Sequence, residues 1–242
     1  MTPPVLEDAL TISPVIPLPS FEVEPVVEAA AEIPEVWSMR LSLLGAILGI
    51  PALYVLLASS IAARSWTHVI SFAGYGVGLL SMFLASALYH SHAGRERRFS
   101  KCLDYGAIGL MVAGNFTPYC TLILRTPYAY HMAQLVWALA LGALVLRIAR
   151  PAMSKWVFVT IFMVMGCMGF LIAPGLWRTM GPGGVLLTLL GGIIYIKGTL
   201  FFNRFEGDVE PPGFGPHDVW HVFILAAAGT HWLVLYLYML PR

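Results

Sequence analysis

The sequence predicts an all-α membrane protein with seven transmembrane helices. Three observations point there. The 242-residue chain is 58% hydrophobic and only 11% charged, with a mean hydropathy of +0.77. A soluble domain of that length has no interior large enough to hide so much apolar surface. The apolar residues also gather in runs close to the roughly 20 residues that cross a bilayer core. Finally, the breaks between runs carry proline, glycine and charge, the residues that end helices.

The first 40 or so residues stand apart. They are rich in proline and hold seven of the thirteen acidic residues: Glu7, Asp8, Glu22, Glu24, Glu28, Glu32 and Glu35. No basic stretch followed by a short apolar run marks a cleaved signal peptide. Residues 1–39 read as an acidic, disordered cytoplasmic tail and residues 40–242 as the transmembrane domain. The spans fall at 41–63, 67–89, 103–124, 130–149, 156–174, 183–203 and 217–239. They are separated by Arg64-Ser65, Gly94 to Lys101, Arg125-Thr126-Pro127, Arg150-Pro151, Pro174 to Pro182 and Glu206 to Pro216.

Lysine and arginine set the orientation. With the tail in the cytoplasm, ten basic residues fall on the inner side: Arg40, Arg95, Arg97, Arg98, Lys101, Arg147, Arg150, Lys155, Lys197 and Arg204. Only Arg64, Arg125, Arg178 and Arg242 fall outside. The N-terminus is therefore expected inside and the C-terminus outside, in the plasma membrane. A net charge of +1 gives no case for nucleic acid. Cys102, Cys120 and Cys167 lack C-x-x-C spacing and read as small packing residues. The seventh span contains no lysine, which argues against a retinal Schiff base. Gly74, Gly76, Gly78 and the pair Gly191-Gly192 allow close helix packing.

This topology gathers polar groups at one membrane level. Ser86 and His90 end the second span, Asp104 begins the third, and His217 and His221 begin the seventh. All lie at the cytoplasmic side. His217 and His221, four residues apart on a helix, share a face and reach one ion together. Three imidazoles with an open fourth position fit a catalytic zinc site, although spacing alone does not choose zinc over another divalent ion. Asp104 is placed to hold a water, orient it and take its proton. Ser86, one turn before His90, is placed to hydrogen-bond the carboxylate, the water or a tetrahedral intermediate. Asp218 reads as a favourable charge at a helix N-terminus or as a partner behind a ligand. His68, His92, His131 and His231 read as interfacial or interhelical hydrogen-bonding residues.

Four blocks carry a family resemblance: Ser86-Ala87-Leu88-Tyr89-His90, Leu103 to Ile108, Gly114-Asn115-Phe116-Thr117-Pro118-Tyr119, and Pro216-His217-Asp218-Val219-Trp220-His221. In order and spacing they resemble the progestin and adipoQ receptor / hemolysin-III family, over about residues 40–240. The resemblance implies a seven-helix fold with a cytoplasmic N-terminus and a central lipid-accessible cavity. It implies Zn2+ held by His90, His217 and His221, with Asp104 holding the water. In the receptor branch, and in related alkaline ceramidases, such a site is associated with hydrolysis of a ceramide-type amide. The expected partner is thus a membrane lipid, ceramide-like or fatty-acyl. The hemolysin branch often carries Glu, Asn and His around its first span. Here Trp37 to Ser42 holds no such set, so no additional carboxylate is expected near the site.

The leading expectation is a zinc-dependent hydrolase of a membrane lipid amide or ester. The rivals are a lipid or hormone sensor with structural zinc and a membrane-permeabilising hemolysin.

Overall fold

The computed structural model describes residues 35–92, 94–205 and 213–241, with the backbone alone over 94–98. Residues 1–34, most of the expected acidic tail, lie outside the described residues. Seven α-helices follow one another, and no strand occurs among the described residues. They are α1 Val36–Ala62, α2 Trp66–Ser91, α3 Gly94–Pro118, α4 Pro127–Ala149, α5 Lys155–Cys167, α6 Gly169–Phe205 and α7 Pro216–Tyr238.

Local chemistry sets the helix ends. Thr126 caps α4 by accepting a hydrogen bond from the Ala129 N–H at 3.2 Å, with Pro127 at the first helical position, where its missing N–H costs nothing. Ser154 caps α5 in the same way. At α7, Pro216 again opens the helix and the Asp218 carboxylate accepts from the Gly215 N–H at 2.8 Å. The end of α3 departs from the α form. After Pro118 the chain widens into a π-helical turn over Tyr119–Leu124, closed by Arg125 in the left-handed region.

Among the described residues, six helical stretches are long and apolar enough to cross a membrane. Five hold 23 to 27 residues, and the sixth runs 51 residues from Lys155 to Phe205. At about 1.5 Å per residue that stretch is roughly 77 Å long, more than twice a bilayer core of about 30 Å. It breaks at Gly181, whose φ of 70° and ψ of −178° leave the helical region. Pro182 follows at once and cannot continue the hydrogen-bond ladder. The sequence expectation ended the fifth span at 174 and took Pro174 to Pro182 as the break; the helix instead runs through Pro174 and stops only at Gly181. α1 likewise begins at Val36, ahead of the expected 41.

The outward faces are apolar: Ile70 is 70% exposed, Val145 65% and Leu200 65%. A water-soluble protein does not present such a belt. The chain is a multi-pass integral membrane protein.

α1 packs on α2, α2 on α3, α3 on α4, α6 on α7, and α7 back on α1, with α5 between α3, α4 and α6. The α2–α3 contact is backbone to backbone. A Cβ at Gly78 would meet the Leu110 carbonyl oxygen at 2.5 Å, and one at Gly114 would meet the Gly74 oxygen at 2.7 Å. These pairings fix an antiparallel register in which Ser86 faces the chain near residue 102. That register brings the end of α2 beside Asp104.

Candidate metal centre

Two helices deliver three histidines. α2 ends with His90, and α7 begins with His217 and His221. Their ligand atoms all lie within 4.8 Å of one another. His90 is 1% exposed and His221 6%, so both imidazoles are removed from bulk water. Ring centroids lie 4.9 Å apart for His90–His217, 4.8 Å for His90–His221 and 5.2 Å for His217–His221. The four-residue spacing on α7 and the packing of both α2 and α7 on α1 bring together the three residues expected from the sequence.

Each ring has a partner behind it. His90 Nδ1 lies 2.6 Å from Glu35 Oε2, and His217 Nδ1 lies 3.2 Å from the same oxygen. His221 Nδ1 lies 3.3 Å from Ser42 Oγ. The Ser42 hydroxyl donates to Ser86 Oγ at 3.1 Å. Ser86 hydrogen-bonds the Asp104 carboxylate, which also lies within electrostatic reach of His90. Because the Ser42 proton goes to Ser86, Ser42 accepts from His221. An acceptor oxygen beside each Nδ1 favours the proton there, which leaves each Nε2 with its lone pair.

The assignment tests whether the site fits a metal. His90 Nε2 and His221 Nε2 stand 3.1 Å apart. Two lone pairs at that distance repel each other, and a cation between them resolves the geometry. Zinc–nitrogen bonds of about 2.0–2.1 Å in a tetrahedron place neighbouring nitrogens roughly 3.3–3.4 Å apart. The observed spacing is close to that. A carboxylate or hydroxyl behind each imidazole, fixing its tautomer and raising its basicity, is the usual surrounding of a metal-bound histidine. The donor set fits zinc.

Glu35 and Ser42 were absent from the sequence expectation, and Glu35 corrects it directly. No further carboxylate was expected from the first span, yet Glu35 contacts two of the three histidines. It stands immediately before α1, with Ser38 and Ser42 three and seven residues on. Those offsets are one helical face. Ser38 donates to Asp218 Oδ1 at 2.7 Å, and both are buried. Asp218 thus ties the start of α7 to α1 while capping its own helix, in agreement with the helix-terminus reading. The signal lay in the sequence as three polar residues on one face at the mouth of an apolar run.

Three of the four remaining histidines have hydrogen-bonding neighbours, two of them three residues away and one on another helix. His68 Nδ1 lies 2.6 Å from Ser65 Oγ, His131 Nδ1 lies 3.2 Å from Gln134 Oε1, and His231 Nδ1 lies 3.3 Å from Tyr119 Oη.

A cavity of about 580 Å³ opens onto the cluster. Ser86, His90, Asp104, His217 and His221 line one end of it. Apolar side chains such as Met111, Phe162, Leu189 and Ile224 line the course between the helices.

Comparison with known proteins places the chain in a family. The family described as haemolysin-III related matches residues 32–232. Hemolysin-3 of Bacillus cereus is 30% identical over 199 residues, covering 82% of this chain and 88% of its own. The monocyte to macrophage differentiation factor of Homo sapiens is 27% identical over 172 residues, 68% of each chain. A heptahelical transmembrane protein of Oryza sativa, named ADIPOR2, is 30% identical over 179 residues, 66% of this chain and 77% of its own. The matched region runs from just before Glu35 to just past His231 and so contains the whole histidine cluster: the chain belongs to the haemolysin-III related family.

Proposed function

We propose that this protein is a zinc-dependent hydrolase of a membrane lipid amide or ester, crossing the membrane seven times with its histidine cluster on the cytoplasmic side. The observation that carries the reading is the cavity: among the described residues, the three imidazoles line open space and no fourth side chain joins their ligand set. A structural zinc site is four-coordinate and closed, whereas a catalytic one keeps a position free.

Seven crossings follow from splitting the 51-residue stretch at Gly181, which leaves two helices of ordinary membrane length. The ten-to-four distribution of lysine and arginine supports an inner N-terminus.

When bound, zinc supplies Lewis acidity that lets a water attack a carbonyl at neutral pH. The chain supplies the rest. Glu35 and Ser42 hold the three imidazoles in the tautomer that offers Nε2. Ser86, itself anchored by Ser42, orients the Asp104 carboxylate. Asp104 takes the proton of the attacking water and delivers it to the leaving amine or alcohol. The apolar walls keep bulk water away from a lipid chain entering between helices and hold its carbonyl beside the histidines.

The rival reading, a lipid sensor with structural zinc, differs in what the cluster does once loaded. The test is metal content by elemental mass spectrometry with turnover of a fluorescent ceramide, on detergent-purified wild type beside His217→Ala. About one zinc per chain, lost with turnover in the variant, is expected. Zinc without turnover of any lipid amide or ester favours the sensor. Stoichiometric zinc retained in His217→Ala overturns the site.

A further inference from the structure

The same cavity has a second polar end. Asn115, Tyr119, Thr188, Tyr195 and His231 line it, and the Tyr75 hydroxyl lies behind them as an electrostatic neighbour of Tyr119 and Tyr195. Part of this group is paired. Tyr119 Oη lies 3.3 Å from His231 Nδ1 and 3.3 Å from Thr188 Oγ1. Thr188 directs its proton to the Gly184 carbonyl at 2.8 Å, and Tyr195 stacks on the His231 ring at 5.9 Å. Tyr75 Oη, Tyr195 Oη and Asn115 Oδ1 are buried and have no hydrogen-bond partner among the described residues. Tyr75 is 0% exposed.

Unmatched polar groups inside an apolar slab are costly and mark functional positions. The backbone is shaped around them. Tyr119 opens the π-helical turn that ends α3, and such turns recur at functional sites. A Cβ at Gly191 would come within 2.7 Å of His231 Nε2, so only glycine leaves that imidazole its place.

The unmatched atoms define the ligand chemistry. Of these, Tyr195 and Asn115 line the cavity, the one offering a proton and the other accepting. A carbonyl would use the donor alone, and an anionic headgroup would find no counter-charge among these side chains. A hydroxyl, which both accepts and donates, answers both kinds. His231 lies ten residues beyond His221 on α7, about 15 Å along the helix axis. We propose that this cluster is a second recognition site in the cavity, selecting a lipid that carries a hydroxyl partway along its chain while its head lies at the histidine cluster. The proposal rests on a lipid occupying the cavity.

The test is native mass spectrometry of the full chain in detergent, offered an equimolar mixture of ricinoleic acid and oleic acid. The first is the second with one added mid-chain hydroxyl. A new hydrogen bond to an unmatched group is expected to favour ricinoleic acid roughly five- to tenfold. Tyr195→Phe is expected to abolish the preference while leaving oleic acid binding and metal content unchanged. Asn115→Leu gives an independent reading if the first variant folds poorly. Equal binding of the two acids overturns the hydroxyl site and leaves the lipid cavity standing. Binding of neither overturns both. A preference that survives both variants places recognition elsewhere and overturns the assignment.

Discussion

Replacing Glu35 tests the part of the site that the sequence did not announce. One oxygen, Oε2, faces Nδ1 of both His90 and His217, at 2.6 Å and 3.2 Å. Glu35→Ala removes the acceptor from two of the three imidazoles. Each ring then loses the contact that fixes its tautomer and is free to rotate its lone pair away from the shared point. Loss of a carboxylate behind a metal-bound histidine typically costs 10- to 100-fold in metal affinity, about 1.4–2.7 kcal/mol. Two rings share this carboxylate, so the alanine variant is expected near the upper limit. Glu35→Gln keeps an acceptor oxygen of the same reach but no charge. Glu35 is 22% exposed, so solvent already screens part of that charge. The glutamine variant is therefore expected near the lower limit, about tenfold. The assay is competition for zinc against a fluorescent chelator at fixed pH, on purified full-length protein. Wild-type zinc affinity in both variants would refute the claim that Glu35 orients the histidines. Complete loss of folded protein in Glu35→Ala alone leaves the glutamine variant to decide.

Two further substitutions separate chemistry from scaffold. Asp104→Asn preserves the shape around Ser86 but cannot take a proton, so it is expected to retain full metal content and lose turnover by at least about 100-fold; unchanged turnover on the fluorescent ceramide would remove Asp104 from the mechanism. Gly78→Ala drives a methyl group to 2.5 Å from the Leu110 carbonyl oxygen, where backbone must shift. It is expected to destabilise the bundle by roughly 1–3 kcal/mol, read as a lowered thermal midpoint in detergent, and an unchanged midpoint would mean that α2 and α3 separate without cost.

Hydropathy alone made the helical membrane fold legible, because a bilayer imposes one length and one composition on every crossing. It was less informative where a helix carries its own interruptions. Pro174 and Pro182 both resemble an end, and hydropathy cannot tell a tolerated proline from a terminating one. The structure settles it by backbone conformation. Pro174 is accommodated within α6, while Gly181 adopts a positive φ that removes the chain from the helix before Pro182. The start of α1 was missed for a related reason. Glu35 belongs by composition to the acidic, proline-rich segment before it, and only the helix beginning at Val36 assigns it to the other side of that boundary.

The histidines were legible because histidine inside an apolar run is rare and a four-residue spacing is a geometric statement in itself. Ser38 and Ser42 were not, because serine in a membrane helix is common and its meaning depends on what packs against it. Ser42 by itself reads as a small residue that eases helix packing. With α1 docked on both α2 and α7, it accepts from His221 and donates to Ser86, and so joins an imidazole to the Asp104 carboxylate through a directed chain of hydrogen bonds. The direction of that chain is the informative part. Had Ser42 donated to His221, Nδ1 would be the acceptor, Nε2 would carry the proton, and the 3.1 Å approach to His90 Nε2 would be an ordinary hydrogen bond needing no ion. The metal reading thus hangs on a serine proton set by Ser86, two residues away from any candidate ligand in the network. A ligand list drawn from sequence contains the histidines and omits the group that decides whether they bind metal.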